Sequence, residues 1–126
     1  MKQGEIHWSE LVSADVEASK KFFSEVVGWK INGMPMPNGT YNVCTVDDVP
    51  VAGIMGIEQI EADHEIQPHW MTYIAVDDVD AAAAKVAGSG GTLVREPFDI
   101  PGVGRIAIVM DPGQGVCGIM TPAPQG

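Results

Sequence analysis

The chain has 126 residues, of which 7 are basic and 17 are acidic, so its formal net charge is −10. This charge argues against nucleic acid or an anionic membrane surface as a partner, because both are bound through clustered lysine and arginine. Hydrophobic residues make up 45% of the chain and charged residues 19%. This balance argues against intrinsic disorder, and the length is typical of one compact domain, here 1–126.

No targeting or membrane-spanning segment is visible in the sequence. No apolar run approaches the roughly 20 residues of a membrane helix, and the N-terminal residues lack the apolar stretch of a signal peptide. Cys44 and Cys117 lie far apart without a C-x-x-C spacing, so both are expected to be small buried hydrophobic residues. A cytoplasmic location is the expectation.

The first half of the chain predicts the order β-α-β-β-β. A dense apolar and aromatic run predicts a strand at 6–12. Ser13 or Asp15 can cap a helix whose apolar stripe ends at Gly28. Three strands are then expected at 29–32, 40–46 and 51–55, with a turn at 47–50.

The same order returns after a polar, acidic linker at 58–68. A strand is predicted at 70–76, and Asp78 can cap a helix over 79–87. The glycine-rich stretch 88–91 ends that helix. Three further strands are expected at 92–95, 105–110 and 116–120, with a turn at 111–115.

The two halves are copies of one another. Asp15-Val16-Glu17-Ala18 returns 63 residues later as Asp78-Val79-Asp80-Ala81, and 51–55 returns 65 residues later as 116–120. One half is too small for a good core. We therefore predict an α+β fold in which tandem βαβββ modules, about 5–57 and 69–121, form a curved eight-stranded cup with the helices outside. Such a cup is a natural small-molecule pocket.

Particular motifs in this arrangement resemble the vicinal-oxygen-chelate superfamily, the glyoxalase, bleomycin-resistance and dioxygenase group. Asp15 followed by Phe22-Phe23 and Gly28-Trp29 is similar to an early family signature, and Asp99 to Gly102 with Asp111 to Gly115 is similar to its late hairpin. The Trp8-x-Glu10-Leu11 segment resembles a glyoxalase-like branch of the superfamily. The resemblance covers almost the whole chain and implies the cup fold, but fold alone does not fix the reaction.

The resemblance also implies where a divalent metal would bind. Family enzymes hold one metal through His, Glu or Gln on the first and last strands of each half. The matching positions here are Trp8, Gly53, Met71 and Gly118, none of which ligates a hard divalent ion. No metal and no cofactor is therefore expected, although a one-residue shift in strand register would restore a divalent metal.

His7 and His69 are the candidate ligands for such a shifted site. Both lie beside the expected positions and both precede a tryptophan. A one-residue shift turns a strand side chain to the opposite face. We therefore expect both histidines to face away from the cup, at a strand edge or an interface.

Glu10 and Tyr73 are the candidate catalytic residues. Strand alternation places Trp8, Glu10 and Val12 on one face, and Tyr73 takes the matching place beside Met71 in the second half. The predicted ligand pocket is thus lined by Trp8, Glu10, Met71 and Tyr73. A buried carboxylate there can act as a general acid or base, whereas the alternative is a core glutamate satisfied by hydrogen bonds.

Three functions are consistent with these residues. The favoured hypothesis is a metal-free protein that binds a small, largely apolar or cationic molecule, as bleomycin-resistance members of the family do. The second is a metal-dependent lyase, isomerase or dioxygenase of glyoxalase type that uses His7, Glu10 and His69. The third is a metal-free enzyme in which Glu10 and Tyr73 transfer protons. A homodimer is expected in each case, because members of the superfamily commonly pair.

Overall fold

We describe residues 2–37, 39–60, 65–100 and 103–123 from a computed structural model. The β-α-β-β-β order occurs twice, so the α+β class and the tandem βαβββ order are confirmed. Single turns of 3-10 helix lie at Ile57–Gln59 and Ala87–Ser89. The helices are α1 (Val16–Val26) and α2 (Val79–Ala84), and the strands are β1 (Ile6–Ser13), β2 (Lys30–Met36), β3 (Gly39–Val46), β4 (Val49–Gly56), β5 (His69–Ala75), β6 (Thr92–Ile100), β7 (Gly104–Met110) and β8 (Val116–Pro122).

The chain divides into two compact units. The first unit is Trp8–Met71, and the second contains the residues before Trp8 together with those after Met71. Backbone hydrogen bonds attach the N-terminal residues to the second unit: the Gly4 amide donates to the Ala75 carbonyl at 2.8 Å, and the Ala75 amide donates to the Glu5 carbonyl at 2.8 Å.

Each unit has an open, mixed sheet. In the first unit the strand order is β2-β3-β4-β1, and β1 runs parallel to β4 while the other pairs are antiparallel. In the second unit the order is β5-β8-β7-β6, with β5 parallel to β8. The cup stays the arrangement predicted for these sheets.

A hydrophobic core lies between the helix and the sheet of each unit. In the first unit Leu11, Cys44, Ala52 and Ile54 are buried against the α1 side chains Val16 and Phe23 and against Trp29 and Ile31. In the second unit Val79, Ala107 and Ile119 are buried with Val76, Ala82, Leu93 and Val109. Strand side chains alternate, so every second residue of these strands faces the other side of its sheet. Among the described residues of each unit, the α-helix lies on the core side, and the opposite side is called the helix-free face.

Both helices begin as the sequence predicts. The Asp15 carboxylate accepts a hydrogen bond of 3.1 Å from the Ala18 amide, and the Asp78 carboxylate accepts one of 3.1 Å from the Ala81 amide. These bonds satisfy a backbone donor that the first helical turn leaves open. The second helix ends at Ala84 rather than Ala87, because the chain tightens there into 3-10 geometry.

Two strands, β2 and β6, extend furthest beyond their predicted ends. β2 continues to Met36 instead of ending at Asn32, and β6 continues to Ile100 instead of ending at Arg95. Both lie at the outer edge of their sheets, where a proline is tolerated because its missing N–H faces no neighbour. Pro50 lies at the second position of β4, which is not an edge strand, and it pairs with Thr45 next to the register shift of β3. The turn before β4 is therefore shorter than predicted.

Some predicted features lie partly outside the described residues. These are the middle of the linker, 61–64, and the Pro101-Gly102 part of the late family signature. None of the helices in the described part of the chain is long and apolar enough to span a membrane.

Candidate functional site

The helix-free face of the first sheet carries the candidate residues Trp8 and Glu10. Glu10 pairs in register with Gly53 of β4, and Gly53 pairs with Val43 of β3. The strand neighbours of Gly53 are buried in the helix-side core, so position 53 faces the other way. Trp8 and Glu10 are half-buried there.

Tyr41 covers Gly53 on this face. The Trp8 indole Nε1 donates a hydrogen bond of 2.8 Å to the Tyr41 phenol oxygen. A Cβ atom added to Gly53 would overlap that phenol group, with the Tyr41 oxygen, Cζ and Cε2 as the nearest atoms. The volume above Gly53 is therefore occupied by a tyrosine held by a tryptophan.

Tyr73 covers Gly118 in the second unit. The two residues pair in register between β5 and β8, and a Cβ atom added to Gly118 would overlap Cδ1 and Cε1 of the Tyr73 ring. Tyr73 is half-buried, and Ile119 beside Gly118 belongs to the helix-side core. The Tyr73 ring thus lies against the helix-free face of its own sheet.

The four predicted pocket residues are divided between the units. Trp8, Glu10 and Met71 belong to the first unit and Tyr73 to the second. The meeting of Glu10 and Tyr73 in one pocket therefore stays a prediction. Both side chains have interactions within the molecule, which is what the core-glutamate alternative requires of Glu10.

The residues at the positions where the resemblance places metal ligands do not fit a divalent metal. Gly53 and Gly118 have no side chain, and tyrosine groups fill the space into which one would extend. Trp8 offers only an N–H donor, which Tyr41 accepts, and Met71 offers only a soft thioether. Within the described residues, no group of three or more His, Cys, Asp or Glu side chains comes together as a metal site would require.

The two histidines differ from each other. Alternation along β1 places His7 on the side opposite to Trp8, as predicted. The prediction is wrong for His69, because it lies two residues before Met71 in β5 and so shares the side of that residue. Its Nδ1 donates a hydrogen bond of 2.7 Å to the Gln67 carbonyl.

Tyr41 is the residue that sequence reasoning missed. Its place depends on the pairing of β3 with β4, which contains a register shift between Cys44 and Thr45. The internal repeat gave no signal, because the residue 65 positions later is Ile106. The repeated glycines at 53 and 118 were predicted as ligand positions without a side chain, but they did not indicate which side chains fill the space above them.

Two cavities adjoin α1 in the first unit. One, of about 350 Å³, has an apolar wall that includes Leu11, Phe22 and Phe23. The other, of about 470 Å³, is lined partly by the polar groups of Lys20 and Asn42. Neither is lined by Trp8, Glu10, Met71 or Tyr73, so the predicted pocket stays a prediction.

Two thiols and one ion pair have shifted pKa values; Cys44 is buried as predicted, whereas Cys117 is only half-buried. Burial raises the pKa of Cys44 to about 11, and burial followed by the Asp111 charge raises the pKa of Cys117. A nucleophilic role is therefore disfavoured for both thiols. The hydrogen bonds that Arg105 donates hold the pKa of Asp80 below its ordinary value.

Known proteins resemble this chain along most of its length. The family model described as Glyoxalase/Bleomycin resistance protein/Dioxygenase superfamily matches residues 5–116. A Mycobacterium bovis protein named as a glyoxylase, CFP32, is 37% identical over 123 residues, which are 97% of this chain and 46% of that protein. The anthracycline biosynthesis protein DnrV of Streptomyces peucetius is 32% identical over 117 residues, covering 83% of this chain and 42% of DnrV.

This chain therefore spans less than half the length of these curated relatives. Among solved structures, methylmalonyl-CoA epimerase from Mycobacterium tuberculosis superposes with a TM-score of 0.65 at 16% identity. The match covers 96% of this chain and 89% of the epimerase chain. At that identity the likeness concerns the fold alone.

Proposed function

Since this chain belongs to the glyoxalase/bleomycin resistance protein/dioxygenase superfamily, we propose that it binds a small, largely apolar or cationic organic molecule without a divalent metal. The observation that carries the proposal is the pair of tyrosines that cover Gly53 and Gly118. They place aromatic groups where metal-bound side chains would stand. The ligand would lie against the helix-free face of the first sheet, beside Gly53 and Tyr41.

The chemistry of the first helix-free face supports this ligand class. Trp8 and Tyr41 present half-buried aromatic groups, and Met55 adds a half-buried flexible apolar side chain. Glu10 adds a carboxylate on the same face, and the chain carries a net charge of −10. Aromatic faces and a negative field both favour an organic cation.

A pair of anthracyclines tests the proposal. DnrV is named for anthracycline biosynthesis, and the anthracycline doxorubicin joins a flat aromatic aglycone to a cationic amino sugar. The aglycone alone has the same flat rings without the positive charge. We expect doxorubicin to bind and to change tryptophan fluorescence. We expect Glu10→Gln to weaken the binding of doxorubicin more than that of the aglycone, because it removes the carboxylate and keeps the shape.

Glu25→Gln is the matched control, since it removes one exposed carboxylate from α1. It should change neither affinity. Failure of both anthracyclines to bind at near-millimolar concentration would overturn anthracycline-like molecules as the ligand class. Equal effects of the two substitutions would remove Glu10 from the site.

Metal titration tests the metal-free part of the proposal. Protein purified without chelators or a His-tag is mixed with Zn²⁺, Ni²⁺, Mn²⁺ or Fe²⁺ and its metal content is measured by native mass spectrometry. We expect no stoichiometric metal. One tightly bound ion per chain would favour the metal-dependent lyase, isomerase or dioxygenase that uses His7, Glu10 and His69.

A metal-free proton-transfer enzyme is the second candidate. The observation that favours it is the placement of Glu10 opposite Gly53, the position that the Tyr41 phenol covers. A carboxylate and a phenol on one face can exchange protons with a bound carbonyl compound, with Tyr73 as the partner predicted from sequence. The C–H hydrogens next to the carbonyl of dihydroxyacetone would then exchange with deuterium from D₂O, and NMR would detect this exchange. Glu10→Gln should abolish it.

The proposal includes a homodimer in the cytoplasm. Light scattering should give twice the chain mass of 13.4 kDa, and a value of 13.4 kDa would overturn the dimer. Cys44 and Cys117 are free thiols, which is typical of a reducing compartment. Cell fractionation of the tagged protein tests the location.

A further inference from the structure

We propose that Tyr41 and Tyr73 determine the class of ligand that this protein accepts, because each fills the volume above a glycine that a metal-ligating side chain would need. The inference deepens the proposed function and rests on it for the organic ligand. Its exclusion of divalent cations rests on the geometry of the two glycines alone.

Position 53 requires glycine because the Tyr41 side chain occupies the space that a Cβ atom would need. The φ of Gly53 does not lie in the left-handed region, so its backbone conformation is open to any residue. Ala52 and Ile54 on either side are buried in the helix-side core, so a movement of β4 away from Tyr41 would disturb that core. A side chain at position 53 therefore has to displace Tyr41, which the Trp8 hydrogen bond holds in place.

Position 118 in the second unit also requires glycine, because the Tyr73 ring occupies the space that a Cβ atom would need. The φ of Gly118 is also ordinary, and Ile119 beside it is a core residue. Tyr73 pairs with Gly118 in register, so its ring lies directly over the glycine. A side chain at position 118 has to displace that ring.

The two coverings are not copies of one another. Tyr41 lies on β3 and its counterpart in the repeat is Ile106, whereas Tyr73 lies on β5 and its counterpart is Glu10. The halves therefore cover equivalent glycines with tyrosines from different strands. Duplication of one half therefore does not account for both tyrosines, and each unit fills the space above its glycine independently.

A double-mutant cycle tests each covering. We expect Gly53→Glu to raise the equilibrium constant for unfolding by about tenfold or more, as overpacking does. The matched control Gly88→Glu should have little effect, since Gly88 has open space around its Cβ position and no positive φ. Tyr41→Ala in the Gly53→Glu background should recover a large part of the loss.

The same cycle applies to Gly118→Glu with Tyr73→Ala. Strictly additive effects at both glycines would overturn the inference, because the tyrosine would then not limit the space. A Gly53→Glu variant as stable as Gly88→Glu would overturn it for the first unit.

A metal-gain experiment tests the consequence for ligand class. The triple variant Trp8→His, Tyr41→Ala, Gly53→Glu keeps the native Glu10, and so places an imidazole and two carboxylates on one face of the first sheet. We expect its affinity for Ni²⁺ to exceed that of wild type by about a hundredfold or more in calorimetry. The double variant Trp8→His, Gly53→Glu, which retains Tyr41, should show no such gain.

Equal Ni²⁺ affinity with and without Tyr41, or no gain in the triple variant when it is folded by circular dichroism, would overturn the exclusion of cations. None of these readouts needs an organic ligand. If doxorubicin and its aglycone fail to bind while the coupling and the metal gain are observed, anthracycline-like molecules fall as the ligand class and the exclusion of cations by the tyrosines stands.

Discussion

Trp8 and Tyr41 are joined by a hydrogen bond of 2.8 Å in which the indole Nε1 donates to the phenol oxygen. The bond connects β1 to β3 across the strand that carries Gly53. It fixes the phenol above that glycine at a position where the resemblance places a metal-ligating side chain. A tryptophan at a predicted ligand position thus has a structural partner that explains its residue type.

Trp8→Phe should show the contribution of this bond. Phenylalanine keeps an aromatic ring but removes the N–H donor, so we expect the free energy of unfolding to fall by about 1 kcal/mol, the usual net value of a hydrogen bond, with some further loss of packing. Urea denaturation measures the change. Trp70→Phe is the control for the loss of indole packing, because the Trp70 ring makes edge-to-face contacts with Phe23 and Trp29. An equal loss in the two variants would contradict a special role for the Trp8 N–H.

The two helix caps predict a matched pair of effects. Asp15→Ala and Asp78→Ala each remove the acceptor for one backbone amide, and each should lower the free energy of unfolding by about 0.5–2 kcal/mol. Asp→Asn at either position should restore most of the loss, since the amide oxygen still accepts the bond. Thermal unfolding with no rescue by asparagine would indicate that charge, and not the hydrogen bond, is the source of the effect.

The extent to which sequence predicted this molecule depends on the range of the interactions involved. Asp15 and Asp78 act within one helical turn, so local spacing was enough to identify both caps. The ends of β2 and β6 were wrong because prolines tolerated at a sheet edge were interpreted as strand breakers. The contact of Tyr41 with Gly53 depends on strand pairing and a register shift, which no local pattern encodes.

The ion pair between Arg105 and Asp80 should make the stability of the folded chain depend on pH in the acid range. Arg105 donates hydrogen bonds to Asp80 at 2.8 and 3.0 Å and so lowers the pKa of that carboxyl below its ordinary 3.8. A lowered pKa in the folded state gives stability that is present above the ordinary value and is lost as the pH falls through the folded value. The stability difference between wild type and Arg105→Gln should therefore shrink below about pH 4, and it should be reduced by salt because both side chains are exposed. A difference that is constant from pH 6 to pH 2 in urea denaturation would contradict the ion pair.

Titration of the buried Cys44 thiol should lower the stability of the folded chain in the alkaline range. The Cys44 side chain is 0% exposed, and burial raises the pKa of its thiol from 9.0 to about 11. The unfolded chain loses this proton first, so the contribution of the protonated thiol is complete below pH 9 and is lost as the pH rises towards 11. The stability difference between wild type and Cys44→Ala, measured by urea denaturation, should consequently shrink between these values. Cys117→Ala controls for the second thiol, and the subtraction cancels the titration of tyrosine and lysine.

A thiol reagent at neutral pH should also modify half-buried Cys117 before Cys44, because reaction at Cys44 requires the core of the first unit to open. Equal reaction rates for the two cysteines would show that the core of the first unit is open to solvent in the native state. A stability difference between wild type and Cys44→Ala that does not vary with pH would show the same.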